Sequence, residues 1–258
     1  MKGLLTGLVG LAVYLLLSAS GLGWGAALLA SAMLVALPVL SVGQAELLDR
    51  VHPPRDLVYR SSAVTIAVLG LLGLWAAGAS LEIDLGIALG TVRPVDLGLG
   101  ALLGLAAVAG ISGVQWTGDR LGIEEQPFLR EVLPRTPGER VGFVGLSFVA
   151  GFGEEIAFRG FLLLALIQAG GPVWMAVGLS SLSFGLVHMY QGWIGVVRTS
   201  LLGAVFAVVF LVSGTLWIPI VAHVLIDLLM GLVIGERLLG SSEDSSAPEP
   251  VNHHGENP

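Results

Sequence analysis

Long apolar stretches, each near the length of a membrane-spanning helix, alternate with short polar segments along the chain. An α-helix needs about 20 apolar residues to cross the roughly 30 Å of hydrocarbon in a bilayer. The stretches also lack the strict alternation that is typical of barrel strands. The pattern therefore predicts an all-α, polytopic membrane bundle of about eight transmembrane helices, at residues 3–20, 22–43, 61–80, 95–115, 141–168, 172–190, 194–214 and 216–236.

Composition supports this prediction. The 258 residues are 55% hydrophobic and only 12% charged, whereas about a quarter of an ordinary soluble domain is charged. We therefore expect an integral membrane protein whose main partner is the lipid bilayer. The absence of cysteine excludes disulfides, thiolate zinc sites and cysteine nucleophiles, and the net charge of −7 argues against a nucleic-acid partner.

The basic residues predict an orientation, because Lys and Arg accumulate in short cytoplasmic loops. With both termini inside, all loop and terminal basic residues lie on the cytoplasmic side except Arg93. The first apolar stretch, after Lys2, resembles a signal peptide, but further spans follow at once and we interpret it as the first membrane helix. One Lys against 11 Arg indicates a GC-rich prokaryotic genome, and hence a plasma membrane.

The two halves of the chain differ in their intramembrane charge. Residues 1–140 carry no charged side chain deep in a predicted span, so we interpret them as a scaffold of helices and cytoplasmic loops. Residues 141–238 carry a polar cluster and are the predicted catalytic core. Residues 239–258 form a polar, acidic segment that we expect to be disordered, and we assign no function to its His253 and His254.

The segment GEEIAFRG places Glu154, Glu155 and Arg159 inside the fifth predicted span. Charged residues in a span are costly and must face one another or water. Glu155 and Arg159 are four residues apart and lie on one helix face, so they can form an ion pair. Glu154 projects about 100° away from Glu155 and is left to face a different cavity.

Two further spans carry histidines. Phe184 and His188 share one face of the sixth span, and His223 and Asp227 share one face of the eighth. Together with Glu154 these groups could converge on one pocket and activate water. Counted from the predicted boundaries, His188 lies near the cytoplasmic end and His223 nearer the opposite face, so convergence requires offset or tilted helices.

These motifs resemble those of a known family. EEIAFRG looks like the EExxxR motif, FGLVH like the FxxxH motif, and GTLWIPIVAHVLIDL like the third motif of the CAAX prenyl protease and bacteriocin-processing family of intramembrane endopeptidases. The resemblance covers roughly residues 141–234 and implies peptide-bond hydrolysis within the membrane. The implied substrates are the C-terminus of a CAAX-type prenylated protein, a bacteriocin leader or another membrane peptide.

The resemblance also implies roles for individual residues. Glu154 would be the general base that activates water, assisted by His188, while His223 with Asp227 would lie near the oxyanion. Glu155, Arg159 and Phe184 would support the site. Family members that process prenylated eukaryotic proteins typically carry Asn where this chain has Asp227, so this residue is protonated, orients His223, or binds a metal.

The residues leave several alternatives open. Glu154, His188, His223 and Asp227 could instead bind zinc, although a metal-independent mechanism is favoured over a metalloprotease. A noncatalytic scaffold or immunity protein that retains the fold is the main rival function, and an ion-coupled transporter is another. GISG, at residues 110–113, matches a rhomboid serine-protease motif but lacks a histidine partner, and neither an HExxH nor a GxGD motif is present.

Overall fold

The structure is a computed structural model, which describes residues 2–48, 50–80, 89–120 and 131–234. Helices and the turns between them make up these segments, and no strand occurs in them. The predicted acidic tail, with His253 and His254, lies outside the described residues. The predicted all-α class is therefore confirmed for the described part of the chain.

In the described part of the chain, eight helices overlap the eight predicted spans, and a short 3₁₀ turn, Met189–Gln191, lies between the sixth and the seventh. They are α1 (Lys2–Ala19), α2 (Trp24–Ser31, continued by Ala32–Ala36 and Leu37–Leu48), α3 (Arg55–Ser80), α4 (Pro94–Arg120), α5 (Pro137–Glu155, continued by Ile156–Leu163 and Leu164–Gln168), α6 (Val173–Leu186), α7 (Gly192–Ser213) and α8 (Trp217–Leu229, continued by Met230–Ile234).

Six of these helices are long and apolar enough to cross a membrane in the described part of the chain. The two shorter apolar helices are α1 and α6. Many large apolar side chains on the helices are exposed, as expected of surfaces that face lipid rather than water. The protein is an integral membrane protein, with at least the six long helices of spanning length.

Small residues allow the helices around the polar cluster to approach closely. A Cβ atom on Gly70 of α3 would lie 2.8 Å from the Cα of Gly153 on α5, and one on Gly153 would lie 2.9 Å from the carbonyl oxygen of Ile66. On α4, a Cβ atom on Gly100 would lie 2.8 Å from the carbonyl oxygen of Ile218 on α8. Membrane helices lack a hydrophobic driving force for association, so such close van der Waals packing holds them together.

Polar contacts hold the start of α5 in place. Thr136 forms a capping box with Glu139, and Pro137 occupies the first turn. A proline is tolerated there because the first N–H groups of a helix have no acceptor within the helix. Glu139 also pairs with Arg55 of α3 at 3.6 Å, and the Tyr59 hydroxyl donates to the carbonyl of Val132 at 2.5 Å. These contacts set the register between α3 and the helix that carries the two glutamates.

Three helices contain a π-helical segment, at Ala32–Ala36, Ile156–Leu163 and Met230–Ile234. Such segments shift the side-chain register and recur at functional sites. The second one begins directly after Glu155. In the first one the carbonyl of Met33 accepts a 2.6 Å hydrogen bond from Ser183 Oγ, which joins α2 to α6.

Candidate active site

The predicted ion pair between Glu155 and Arg159 is present in the structure. Arg159 Nη1 donates to Glu155 Oε1 at 2.8 Å, and the two side chains are 2% and 0% exposed. Arg159 Nη2 donates to the carbonyl of Gly203 on α7 at 3.3 Å, and its guanidinium carbon lies 4.3 Å from the ring centre of Phe184. The pair therefore ties α5 to α6 and α7 at the centre of the bundle.

Glu155 also holds His223 of α8. The Glu155 Oε1 atom that accepts from Arg159 also lies 2.7 Å from His223 Nδ1. A carboxylate oxygen accepts, so Nδ1 carries the hydrogen and the opposite ring nitrogen, Nε2, is directed away from Glu155. That nitrogen lies 3.7 Å from Oε2 of Glu154.

A second imidazole reaches Glu154 from the end of α6. His188 Nδ1 donates to the carbonyl of Phe184 at 2.7 Å, so in the neutral ring the Nε2 atom carries the lone pair. This Nε2 atom lies 3.8 Å from Glu154 Oε2. Ser41 of α2 donates at 2.8 Å to the carbonyl of Val187 and so fixes the turn that carries His188.

The two histidines with different predicted depths meet beside Glu154, and the helix before His188 is shorter than predicted. We expected a span over residues 172–190, but α6 has only 14 residues and ends at Leu186. Its helical part rises about 21 Å, well short of the roughly 30 Å of hydrocarbon. His188 thus follows a helix too short to carry it across the bilayer, and it lies beside Glu154 together with His223.

Glu154 is buried, and its Oε2 atom lies within 3.8 Å of both Nε2 atoms. Its Oε2 atom has no hydrogen-bond partner among the described residues. A buried carboxylate oxygen without a partner is costly, and in a native protein such an atom requires an explanation. Oε2 of Glu155 also lacks a partner among the described residues, so it is the closeness to two imidazole nitrogens that distinguishes Glu154.

Asp227 lies one turn after His223, at the more exposed edge of the cluster. Its Oδ2 atom is 3.9 Å from His223 Nε2, and the side chain is 31% exposed, against 11% for His223. Asp227 thus approaches the nitrogen that faces Glu154, while Glu155 occupies the Nδ1 side. The side chain that orients the His223 ring is therefore Glu155.

Aromatic rings form one wall of the site. The Phe184 ring packs edge-on against the His188 ring, with centres 4.7 Å apart, and against Phe158 at 4.9 Å. Phe206 of α7 lies 6.2 Å from the His223 ring and 5.5 Å from the Arg159 guanidinium carbon. Sequence reasoning identified Phe184 but missed Phe206, which carries no motif to distinguish it from other apolar residues of α7.

Glu154, His188, His223 and Asp227 are spaced more widely than the ligands of a zinc site. Nitrogen and oxygen ligands lie about 2.0–2.2 Å from zinc in a tetrahedral site, which places ligand atoms about 3.3–3.6 Å apart. The Nε2–Oε2 and Nε2–Oδ2 distances of 3.7 to 3.9 Å are longer. Within the described residues, no group of three or more His, Asp or Glu side chains has the arrangement of a metal site, so the residues as placed do not fit zinc.

Comparison with known families supports the prediction from the motifs. Residues 136–229 match the family described as type II CAAX prenyl endopeptidase Rce1-like. The matched segment contains all the residues of the polar cluster. Searches of curated proteins and of solved structures returned no match.

The family match and the three motifs agree on one assignment. EEIAFRG lies on α5, FGLVH at the end of α6 and the AHVLID segment on α8, all within the matched residues. The family implies proteolysis inside the membrane. Residues 136–229 of this membrane protein are thus similar to the type II CAAX prenyl endopeptidase Rce1-like family, and this similarity supports an intramembrane protease of the CAAX type.

Proposed function

We propose that the protein is an intramembrane endopeptidase that hydrolyses a peptide bond of a membrane-associated substrate with a water activated by Glu154 and His188. The observation that carries this proposal is the buried Oε2 atom of Glu154, which makes no hydrogen bond within the described residues and lies within 3.8 Å of Nε2 of both His188 and His223.

The spacing suits a shared water molecule. A water that forms hydrogen bonds of about 2.8 Å can bridge two atoms that are 3.8 Å apart. Glu154 would take a proton from this water while the water oxygen attacks the carbonyl carbon of the substrate. His188 Nε2, whose lone pair faces Glu154, would accept the second O–H and orient the water. Glu154 would then return its proton to the leaving amine as the C–N bond breaks.

His223 would stabilise the negative oxygen of the tetrahedral intermediate. Its Nδ1–H donates to Glu155, so a doubly protonated ring would present Nε2–H toward the reacting centre. Asp227, 3.9 Å from that nitrogen, would support the imidazolium. Glu155 and Arg159 act through His223 and the helix contacts, so we assign them a positioning role.

The family points to the substrate class. Its description names a CAAX prenyl endopeptidase, so we propose the C-terminal segment of a prenylated protein, with a bacteriocin or another membrane peptide as the alternative. We also propose that both termini face the cytoplasm of a prokaryotic cell. The distribution of basic residues over the loops supports this orientation.

Replacement of Glu154 tests the base. We expect Glu154→Gln, which keeps shape and removes the charge, to lower cleavage at least about 100-fold, the lower end of general-base contributions. Peptides and protein termini from membranes with the wild type or the variant would be compared by mass spectrometry. The control is Glu131→Gln, which removes a carboxylate that pairs with His52 outside the site at 2.7 Å. If the same protein termini are detected with the wild type and with Glu154→Gln, Glu154 is not the base, and a noncatalytic role of the protein is favoured.

Chelation tests the metal-independent form of the mechanism. We expect the purified protein to keep its activity after exhaustive treatment with EDTA and 1,10-phenanthroline, because the side chains as placed do not fit zinc. Loss of activity on chelation, restored by a stoichiometric amount of zinc, would contradict this mechanism and favour a metalloprotease.

A further inference from the structure

Phe206 of α7 contacts two polar side chains of the site, although no motif contains it. The centre of its ring lies 6.2 Å from the centre of the His223 ring and 5.5 Å from the guanidinium carbon of Arg159. Aromatic rings attract one another at centre distances of about 4.5–7 Å, and they attract a cation within about 6 Å. The ring is fully buried, and the proposed mechanism does not use it.

The two side chains that Phe206 contacts donate to one oxygen atom. Arg159 Nη1 and His223 Nδ1 lie 2.8 and 2.7 Å from Glu155 Oε1. The bond from His223 directs Nε2 of that ring toward Glu154. An imidazole can turn about its Cβ–Cγ bond, whose preferences are broad and roughly twofold. A half-turn would place a ring carbon against Glu155 and take Nε2 away from Glu154.

Two phenylalanine rings limit the space for such a turn. Phe184 of α6 lies 6.1 Å from the His223 ring and 4.3 Å from the guanidinium carbon of Arg159. Phe206 makes the same two contacts from α7, at 6.2 and 5.5 Å. A change in the orientation of either donor therefore alters its contact with both rings.

Phe206 is itself held in place by packing. It belongs to an apolar cluster with Val108 of α4 and with Ala222 and Ile226 of α8. Ala222 precedes His223 in the chain, and Ile226 follows it by three residues. Protein interiors are close-packed and resist displacement of their side chains. Phe206 thus has the support that a ring needs to hold a neighbouring imidazole.

A glycine on the same face of α7 allows this approach. Gly203 lies three residues before Phe206, and its carbonyl accepts from Arg159 Nη2 at 3.3 Å. A Cβ atom on Gly203 would lie 3.2 Å from that Nη2 atom and 3.2 Å from Cδ1 of Phe184. Helix α7 therefore meets Arg159 with its backbone at one turn and with the Phe206 ring at the next.

We propose that Phe206 is a positioning residue, whose ring keeps His223 bonded to Glu155. The same ring keeps Arg159 on that carboxylate, so that Nε2 of the imidazole stays directed toward Glu154. This inference rests on the proposed endopeptidase function. Without the ring, the imidazole gains a second orientation, in which Nε2 cannot stabilise the negative oxygen of the intermediate.

The kinetic test is Phe206→Leu, which keeps an apolar side chain and removes the ring. Cleavage of a dansyl-labelled, S-farnesylated Cys-Val-Ile-Ala peptide would be measured with full-length protein in phosphatidylcholine nanodiscs, at equal amounts of folded protein. We expect kcat to fall about 10-fold, as the loss of one aromatic and one cation–π contact implies. KM should stay within about twofold, because the lost interaction acts in the transition state. Replacement of Phe206 by para-fluorophenylalanine keeps the shape of the ring and should restore kcat to within about twofold of the wild type.

The matched control is Phe210→Leu, which removes another buried ring one turn later in α7. Phe210 belongs to a different apolar cluster, with Phe161 and Leu216. This control should destabilise the protein as Phe206→Leu does, because each variant removes a buried ring, but it should leave kcat unchanged. An equal fall in kcat in the two leucine variants would overturn the inference.

The orientation of His223 can be measured without cleavage. Magic-angle-spinning NMR of protein with isotope-labelled histidine would record the ring nitrogen signals, and those of His223 are the ones that vanish in His223→Gln. We expect one set of His223 signals in the wild type and in Phe210→Leu. Phe206→Leu should show a second set, from rings that are not bonded to Glu155. A single, unchanged set in Phe206→Leu would overturn the inference.

The two measurements separate this inference from the proposed function. If the wild type does not cleave the peptide and the second set of signals is found only in Phe206→Leu, the endopeptidase is contradicted and the positioning of His223 stands. If cleavage is lost in Glu154→Gln but unchanged in Phe206→Leu, the endopeptidase is supported and the role of Phe206 is contradicted.

Discussion

Replacing Glu155 by Met should destabilise the protein more than replacing Arg159 by Met. Glu155 Oε1 accepts from two buried donors, Arg159 Nη1 at 2.8 Å and His223 Nδ1 at 2.7 Å. Glu155→Met therefore leaves a buried guanidinium and an imidazole N–H without their acceptor. Arg159→Met removes the bond to Glu155 and the longer, 3.3 Å bond to the Gly203 carbonyl, but Glu155 keeps His223 as a donor.

The magnitude follows from the burial of the pair. Removing one member of a buried ion pair costs about 3–5 kcal/mol, because the other charge is left without compensation. We expect this loss for Glu155→Met, and about 1–2 kcal/mol less for Arg159→Met, because the carboxylate that remains keeps a donor at 2.7 Å and the lost Gly203 bond is long at 3.3 Å. The double variant should lose only about 1–3 kcal/mol, because the unpaired groups that remain, the His223 N–H and the Gly203 carbonyl, are both uncharged.

The free energy of unfolding can be measured by titrating the protein in detergent micelles with SDS. Unfolding would be followed by the fluorescence of the six tryptophans of the chain. The control is the pair Asp56 and Arg60, which has the same spacing of four residues but is exposed. Its double-mutant cycle should give a coupling of about 0.5 kcal/mol or less. If the losses of Glu155→Met and Arg159→Met simply add in the double variant, the two residues are not coupled and the reasoning is wrong.

Three further predictions concern helix packing, the turn before His188 and orientation. Gly203→Val should destabilise the protein by about 1–3 kcal/mol, because a Cβ atom there would lie 3.2 Å from Nη2 of Arg159. The control is Gly178→Val, which should have little effect on the free energy of unfolding, because a Cβ atom on Gly178 has no other atom within 4 Å. Ser41→Ala should lower the free energy of unfolding by about 1 kcal/mol. It should also lower kcat, measured at equal amounts of folded protein, because the Ser41 hydroxyl holds the turn before His188. An unchanged kcat would contradict a positioning role. The chain has no cysteine, so Gly138→Cys introduces a single reactive thiol. It should react with a membrane-impermeant maleimide only in inverted vesicles, and labelling in intact cells would show that the orientation is opposite to the proposed one.

Interactions within one helix could be predicted from the sequence. The eight apolar stretches predicted the helices because length and polarity alone decide whether a segment suits the bilayer. The pair of Glu155 and Arg159 could be predicted because residues four apart lie on the same helix face. For the same reason the sequence placed Phe184 with His188 and His223 with Asp227.

Interactions between helices could not be predicted in this way. The hydrogen bond from His223 to Glu155 joins residues 68 positions apart, and no periodicity within α5 or α8 indicates it. The bond from Ser41 to Val187 joins the predicted scaffold half to the site. The position of His188 depends on where α6 ends, and a helix of 14 residues is hard to distinguish from a longer apolar stretch by composition alone.

The contact between Gly70 and Gly153 means that the part of the chain that matches the family depends on a helix outside the match, so we do not expect it to keep its site when it is transplanted alone. Gly153 precedes Glu154, and it lies against the backbone of α3 so closely that neither glycine has space for a methyl group. Yet α3 precedes residues 136–229 in the chain and is outside the matched segment. A protein cut down to that segment would lose the surface that holds its principal carboxylate, and a chimera with a relative would have to exchange α3 together with α5.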